Sequence, residues 1–184
     1  MKSNSTPETK TVADILSRGE IIARFDGRME FGERALGNRS ILADPRAKNI
    51  KDKINSIIKY RESYRPFAPV VTQEKVCNYF EVSENFTCNY MEKVVQIKKD
   101  FHNELPAVTH VDGSGRVQTV NEKHNQSFYQ IIKEFELLTG LPIVLNTSFN
   151  IAGEPVVLSP DDAISTFFNS GLEYLMIGSF LVKK

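Results

Sequence analysis

The 184-residue chain has no tryptophan, only two cysteines and no net charge, and each shortage excludes something. Cys77 and Cys88 cannot build a disulfide framework and suit a reducing compartment. A formal charge of zero speaks against generic nucleic-acid or anionic-membrane binding, which shows a basic excess. No apolar run approaches the roughly 20 residues of a membrane span. The polar opening MKSNSTPETK lacks the apolar core of a signal peptide. It reads as a disordered lead-in over residues 1–10, before one domain over 11–184. A cytoplasmic protein is expected.

Familiar catalytic signatures are also missing. There is no GxxxxGK[ST] loop, no GxGxxG, no HExxH and no CxxC pair. Cys77, Cys88, His102 and His110 are too irregularly spaced for a structural zinc site. Ser148 lies in NTSFN, which is not the GxSxG elbow of a hydrolase. Asp112 and His110 would share a face of a strand, with no nucleophile beside them.

What is present is an uneven distribution of arginine. Seven of nine arginines lie between Arg24 and Arg65, three of them in GRMEFGERALGNRSILADP, Gly27 to Pro45. Glycines there let the backbone approach a ligand, and arginines supply planar charged forks for phosphate or carboxylate. The stretch reads as an anion site.

The elements alternate. Thr11 caps a helix over VADILSRG that stops at Gly19. EIIARF and SILAD read as strands, and Ile50, Ile54, Ile57 and Ile58 mark one face of a helix. APVVT is a buried strand after the prolines of RPFAP, Gln73 to Phe80 a short helix, and MEKVVQIK a strand. AVTH and VQTV read as two strands flanking DGSGR. Phe128, Ile131, Ile132, Phe135 and Leu138 form a helical stripe. The apolar strand LPIVL delivers into Asn146-Thr147-Ser148-Phe149-Asn150, the end of a strand where open α/β sheets place ligands. Ser159-Pro160 starts a helix with Ala163, Ile164, Phe167 and Phe168 toward the core, and YLMIGSFLV is a closing strand. The class is α/β.

Four segments carry chemistry: the Gly–Arg loop, KYRESYRPFAP, THVDGSGRVQTV and LNTSFN. They offer Arg34, Arg39, Lys59, Arg61, Arg65 and Arg116 as cations, and Asn146, Ser148 and Asn150 as neutral hydrogen-bonders. Phosphoryl and nucleotidyl transfer use such a kit, because catalysis there is mostly positioning and charge neutralisation.

GRMEFGERALGNRSILADPR, KYRESYRPFAP, AVTHVDGSGRVQTV and LNTSFNIAGEPVV together resemble the C-terminal domain of NodU/CmcH/TobZ-type O-carbamoyltransferases, from about Ile21 onward. The resemblance implies a YrdC-like fold, a twisted open mixed sheet flanked by helices with a positively charged cavity. It implies binding of ATP and carbamoyl phosphate and formation of carbamoyl-adenylate with release of pyrophosphate. A separate N-terminal, actin-like domain, in cis or in trans, would then pass the carbamoyl group to an acceptor hydroxyl. That domain carries the family's iron, so only Mg²⁺ arriving with ATP is expected here.

Carried over by residue, the resemblance makes Arg34, Lys59 and Ser148 catalytic. It places Arg34, Lys59, Arg61, Arg65, Arg116, Asn146, Ser148 and Asn150 around ATP and carbamoyl phosphate. For Arg28, Arg39 and Arg46, surface or structural pairing weighs as much as a site role. Glu33 departs from the family, which usually has proline there. It supports a rival reading, a nucleotide-binding regulatory module without catalysis. A second rival is a YrdC-like protein that makes threonylcarbamoyl-adenylate or binds RNA.

Overall fold

A computed structural model describes residues 6–184. Its elements are α1 (Pro7–Ser17), β1 (Ile22–Phe25), β2 (Arg39–Ala43), α2 (Ile50–Ile57), β3 (Ala68–Thr72), α3 (Val76–Tyr79), β4 (Lys93–Gln96), β5 (Ser114–Val120), α4 (Gln126–Thr139), β6 (Ile143–Ser148), α5 (Pro160–Phe168), β7 (Tyr174–Ile177) and β8 (Phe180–Lys183). Eight strands form one sheet in the order β4-β5-β3-β6-β2-β1-β7-β8. Two junctions, β5 with β3 and β1 with β7, are parallel and the rest antiparallel. This is the open mixed sheet that the YrdC-like resemblance implies.

β1, β2 and β3 are buried along their whole length. They sit centrally, and the two outermost strands, β4 and β8, are the exposed ones. α4 lies on β3 and β6, and α1 packs across α4. Phe128, Ile131, Ile132 and Phe135 point inward from α4, its start capped by the Asn125 side chain and its end turned by Gly140.

Several expectations are corrected. The first helix is capped by Thr6, not Thr11. Thr6 and Thr9 form a reciprocal capping box and Pro7 occupies the first turn, so residues 7–10, read as lead-in, are helical. Residues 1–5 of that lead-in lie outside the described residues. AVTH is not a strand: Thr109 donates its amide to Leu105 O, and Gly113 turns the chain back on His110. β5 pairs instead with β4 and β3. The closing strand is a hairpin, β7 and β8, broken by a two-residue turn with Gly178 at φ 56°. Leu138, Ile164 and Phe168 are exposed, because the buried stripes of α4 and α5 are narrower than the apolar residues suggest.

The Phe128 ring is fully buried and abuts Gly37 of the Gly–Arg loop, so it serves core and loop together. Phe128→Ala is expected to cost about 3–5 kcal/mol, lowering the midpoint of thermal unfolding by roughly 6–20 °C.

Candidate active site

The Gly–Arg loop folds around its own carboxylate. Glu30 Oε1 accepts backbone N–H bonds from Leu36 and Asn38, both at 2.7 Å, and a longer one from Arg39. Phe31, Gly32 and Glu33 are left at an exposed tip. Three successive carbonyls then face the sheet. Ala35 O accepts from Asn146 Nδ2 at 2.9 Å, Leu36 O from Gln118 Nε2 at 3.0 Å, and Gly37 O from the Arg24 guanidinium. The three side chains are buried on β6, β5 and β1. Gly37, at φ 126°, lies so close to Phe128 that a Cβ there would collide with the ring.

The second segment is shaped at Asn55 of α2, whose side chain donates to Ser63 O and Arg65 O and accepts from Arg61 Nε at 2.7 Å. Arg61 also stacks over Phe67, 4.9 Å from the ring centre. Tyr60, at φ 45°, takes a left-handed conformation between Lys59, which is buried, and Arg61, which reaches the cavity.

Four sequence-predicted cations therefore meet. Arg34, Arg61 and Arg116 line two joined compartments. The inner one, of about 90 Å³, is completed by Asn146, Thr147 and Ser148. The outer one, of about 220 Å³, adds Arg65 and His110. A wider groove of about 810 Å³ continues from Arg34 past Glu30, Phe31, Tyr90 and Glu92. Burial lowers the pKa of Arg116, and neighbouring Arg34 adds to the shift. Burial also lowers that of Arg61, with Arg65 and Arg116 repelling it. A bound anion would relieve that repulsion.

Lys59 and Asn150 stand behind this surface and line neither compartment. Lys59 Nζ donates to Ser148 O at 2.5 Å, Asn150 O at 3.0 Å and Asn150 Oδ1 at 2.6 Å. Ser148 Oγ donates to Asn150 Oδ1 at 2.7 Å, and Asn150 Nδ2 to Glu154 O at 2.8 Å. Lys59 thus braces the turn that presents Ser148. Burial, with Arg61 and Arg65 nearby, pushes its pKa down to about 7.

Of the remaining arginines, Arg39 and Arg46 are occupied within the protein. Arg39 donates to the carbonyls of Asp26 and Gly27 and stacks on Phe25, 3.6 Å from the ring centre. Arg46 pairs with Asp44, and Arg28 is exposed. Glu33, largely exposed, sits 3.3 Å from Arg34.

Sequence reasoning missed Glu30, Asn55 and Gln118, which organise the site without touching its centre. Only Gln118 left a signal, a polar residue inside the apolar strand VQTV. His110 was set aside for want of a nucleophile. It lines the outer compartment, with Nδ1 3.0 Å from Ser114 Oγ, which itself donates to Asp112. No group of three or more metal-ligating side chains occurs among the described residues, and no helix among them is long and apolar enough to cross a membrane.

An open mixed sheet flanked by helices, with a cation-lined cavity at the end of a buried strand, defines an α/β domain of YrdC-like fold. Residues 13–184 match the family described as Carbamoyltransferase C-terminus. The chain belongs to this family. It is 48% identical over 175 residues to Nodulation protein NolO of Bradyrhizobium diazoefficiens, covering 95% of this chain and 32% of that protein. It is 36% identical over 171 residues to a 3'-hydroxymethylcephem-O-carbamoyltransferase of Amycolatopsis lactamdurans, covering 93% and 32%. The chain thus spans about a third of the length of these relatives. Among solved structures, T. kodakarensis HypF has a like fold, with a TM-score of 0.62 at 17% identity over 89% of this chain and 20% of that one. A full-length HypF in a phosphate- and nucleotide-bound form gives 0.59 at 18% identity, with the same coverage.

Two predictions follow from this geometry. Glu30→Ala removes the acceptor of the loop amides and is expected to cost about 2 kcal/mol, read as a lower urea midpoint. Free Lys59 is half-deprotonated near pH 7, whereas the unfolded chain keeps its lysine protonated to about pH 10. The unfolded chain therefore binds the extra proton between these values, and Lys59 makes stability rise with pH across that window. An anion in the cavity restores the ammonium. Phosphate binding at pH 8 should take up protons, measured by calorimetry in buffers of different ionisation enthalpy, and Lys59→Met should reduce the uptake.

Proposed function

We propose that this chain is the activating domain of an O-carbamoyltransferase, forming carbamoyl-adenylate from carbamoyl phosphate and ATP. The observation that carries the reading is the convergence of Arg34, Arg61, Arg65 and Arg116, from three separate segments, beside Ser148. Such a cluster suits a reaction in which negative charge develops on phosphate oxygens and nothing else need be supplied. Family membership and the like fold of a nucleotide-bound HypF support it.

Mass balance requires one water. Water releases phosphate from carbamoyl phosphate, leaving carbamate. A carbamate oxygen attacks the α-phosphorus of ATP as the bond to pyrophosphate breaks. Arg34, Arg61 and Arg116 would hold the small anion in the paired compartments, with Arg65 at the outer mouth. The wider groove beside Arg34 has room for the nucleotide. Ser148 would turn its one hydroxyl proton from Asn150 Oδ1 to a phosphoryl oxygen, with Lys59 Nζ, 3.2 Å from Ser148 Oγ, holding the oxygen in place. Mg²⁺ would come with ATP and be held through its phosphates, since the inner walls offer guanidinium groups. The carbamoyl group would then pass to an acceptor hydroxyl in an N-terminal domain, in cis or in trans. A reducing cytoplasm suits the two free thiols, Cys77 and Cys88.

The test is pyrophosphate release from ATP by this chain, with and without carbamoyl phosphate, and again with an N-terminal domain supplied. Release dependent on carbamoyl phosphate is expected. Arg116→Ala and Ser148→Ala should each lower it about 100-fold, as loss of a transition-state contact does. Release that ignores carbamoyl phosphate, or wild-type rates in both variants, would sink the reading. ATP binding without turnover, even with the second domain present, would favour a regulatory module, for which the Glu33–Arg34 pair is the supporting contact.

A further inference from the structure

Asn146 is held in one orientation by a chain of hydrogen bonds that cannot be reversed. Gln118 Nε2 donates to Leu36 O at 3.0 Å, which leaves Gln118 Oε1 as an acceptor. Asn146 Nδ2 fills that acceptor at 3.0 Å and gives its other proton to Ala35 O at 2.9 Å. Flipping either amide would set like groups against each other at two contacts. Asn146 Oδ1 is therefore fixed as an acceptor, yet it is buried and has no partner.

A buried orphan acceptor is costly and calls for an explanation. Among the described residues four buried polar atoms lack partners: Glu30 Oε2, Arg39 Nε, Thr72 Oγ1 and Asn146 Oδ1. Only Asn146 also belongs to the wall of the cationic inner compartment. Three guanidinium groups line that space, and none of them fills the oxygen. Arginine has donors and no acceptor, so Arg34, Arg61 and Arg116 bind the oxygens of an anion but cannot themselves receive an N–H. The carboxylate on its wall, Glu33, is exposed and paired with Arg34.

We infer that Asn146 Oδ1 receives the amide N–H of the carbamoyl group and selects carbamoyl phosphate over acyl phosphates and plain phosphate. The inference rests on the function proposed above. At about 90 Å³ the compartment has room for a carbamoyl group but not for a nucleobase. Carbamoyl phosphate, carbamate and carbamoyl-adenylate all keep the NH₂, so one acceptor serves each stage. An acetyl group puts a methyl against the same oxygen and leaves it unpaired. A site built around a hydrogen bond discriminates strongly against the analogue that lacks it.

The test uses two stable phosphonates that differ only at this group, phosphonoacetamide with NH₂ and acetonylphosphonate with CH₃, with inorganic phosphate as the anion control. Calorimetry on the wild-type chain should show the amide preferred roughly 10–100-fold over the ketone. Asn146→Ala should erase the preference. Gln118→Met, which removes the acceptor that orients Asn146, should shrink the preference without erasing it. Asn146→Ser keeps a donor toward the loop and withdraws Oδ1, and it gives the same reading if the alanine variant does not fold. No preference in wild type, or a preference that survives in both Asn146 variants, overturns the assignment. A preference lost in His110→Ala and kept in Asn146→Ala transfers the amide to His110 and also overturns it. A wild-type chain that binds none of the three anions fails at the level of the proposed function instead.

Discussion

Four arginines share one cavity in a chain whose charges sum to zero, and the surrounding structure serves to keep them there. Left in water, Arg34, Arg61, Arg65 and Arg116 would separate, because nothing in the pairwise energy favours like charges meeting. They are held by groups with no charge to offer the ligand. Asn55 grips Arg61, Phe67 supports its guanidinium face, and β5 carries Arg116 as part of the sheet. Arg34 depends on the loop, and the loop depends on Glu30 from within and on Asn146, Gln118 and Arg24 from beneath. The mutual repulsion of the four arginines would be relieved by an anion in the cavity.

This arrangement separates positioning from contact. Lys59 has the charge of a phosphate ligand, but its ammonium is spent on the carbonyls of Ser148 and Asn150. Its low pKa and its bonds belong to one fact: it is buried beside two arginines and serves as a brace. Ser148 and Asn150 owe their orientation to it. Removing the lysine therefore acts through geometry and through the local field together.

Much of the fold was legible along the chain. Alternation of apolar runs with turn residues marked β1, β3, β6 and α4, because each buries enough surface to impose its own period. Readings failed where long-range pairing decided the outcome. AVTH has the composition of a strand, but the neighbours of β5 are β4 and β3, so no edge was free for it. Leu138, Ile164 and Phe168 are apolar and exposed, since a helix buries only the arc its neighbours cover. At the site the arginines of the motifs were legible. Glu30 was not, because a polar residue in a polar loop carries no periodic mark, and Asn55 was not, because a polar residue on a helix reads as solvent-facing until its neighbours are known.

The sequence by itself determined most of the element types, the family and the set of charged and polar residues available for chemistry. Local propensity and motif spacing are one-dimensional properties, and they survive without a partner. Only the tertiary structure decided which of those residues face a common space. The pairing of β6 with β2 and β3, and of β3 with β5, brings Asn146 beside Gln118 and under the loop. It turns one amide oxygen into an acceptor without a donor and turns Lys59 from a ligand into a support. Those roles depend on contacts between residues about 30 to 110 positions apart, which no local pattern encodes.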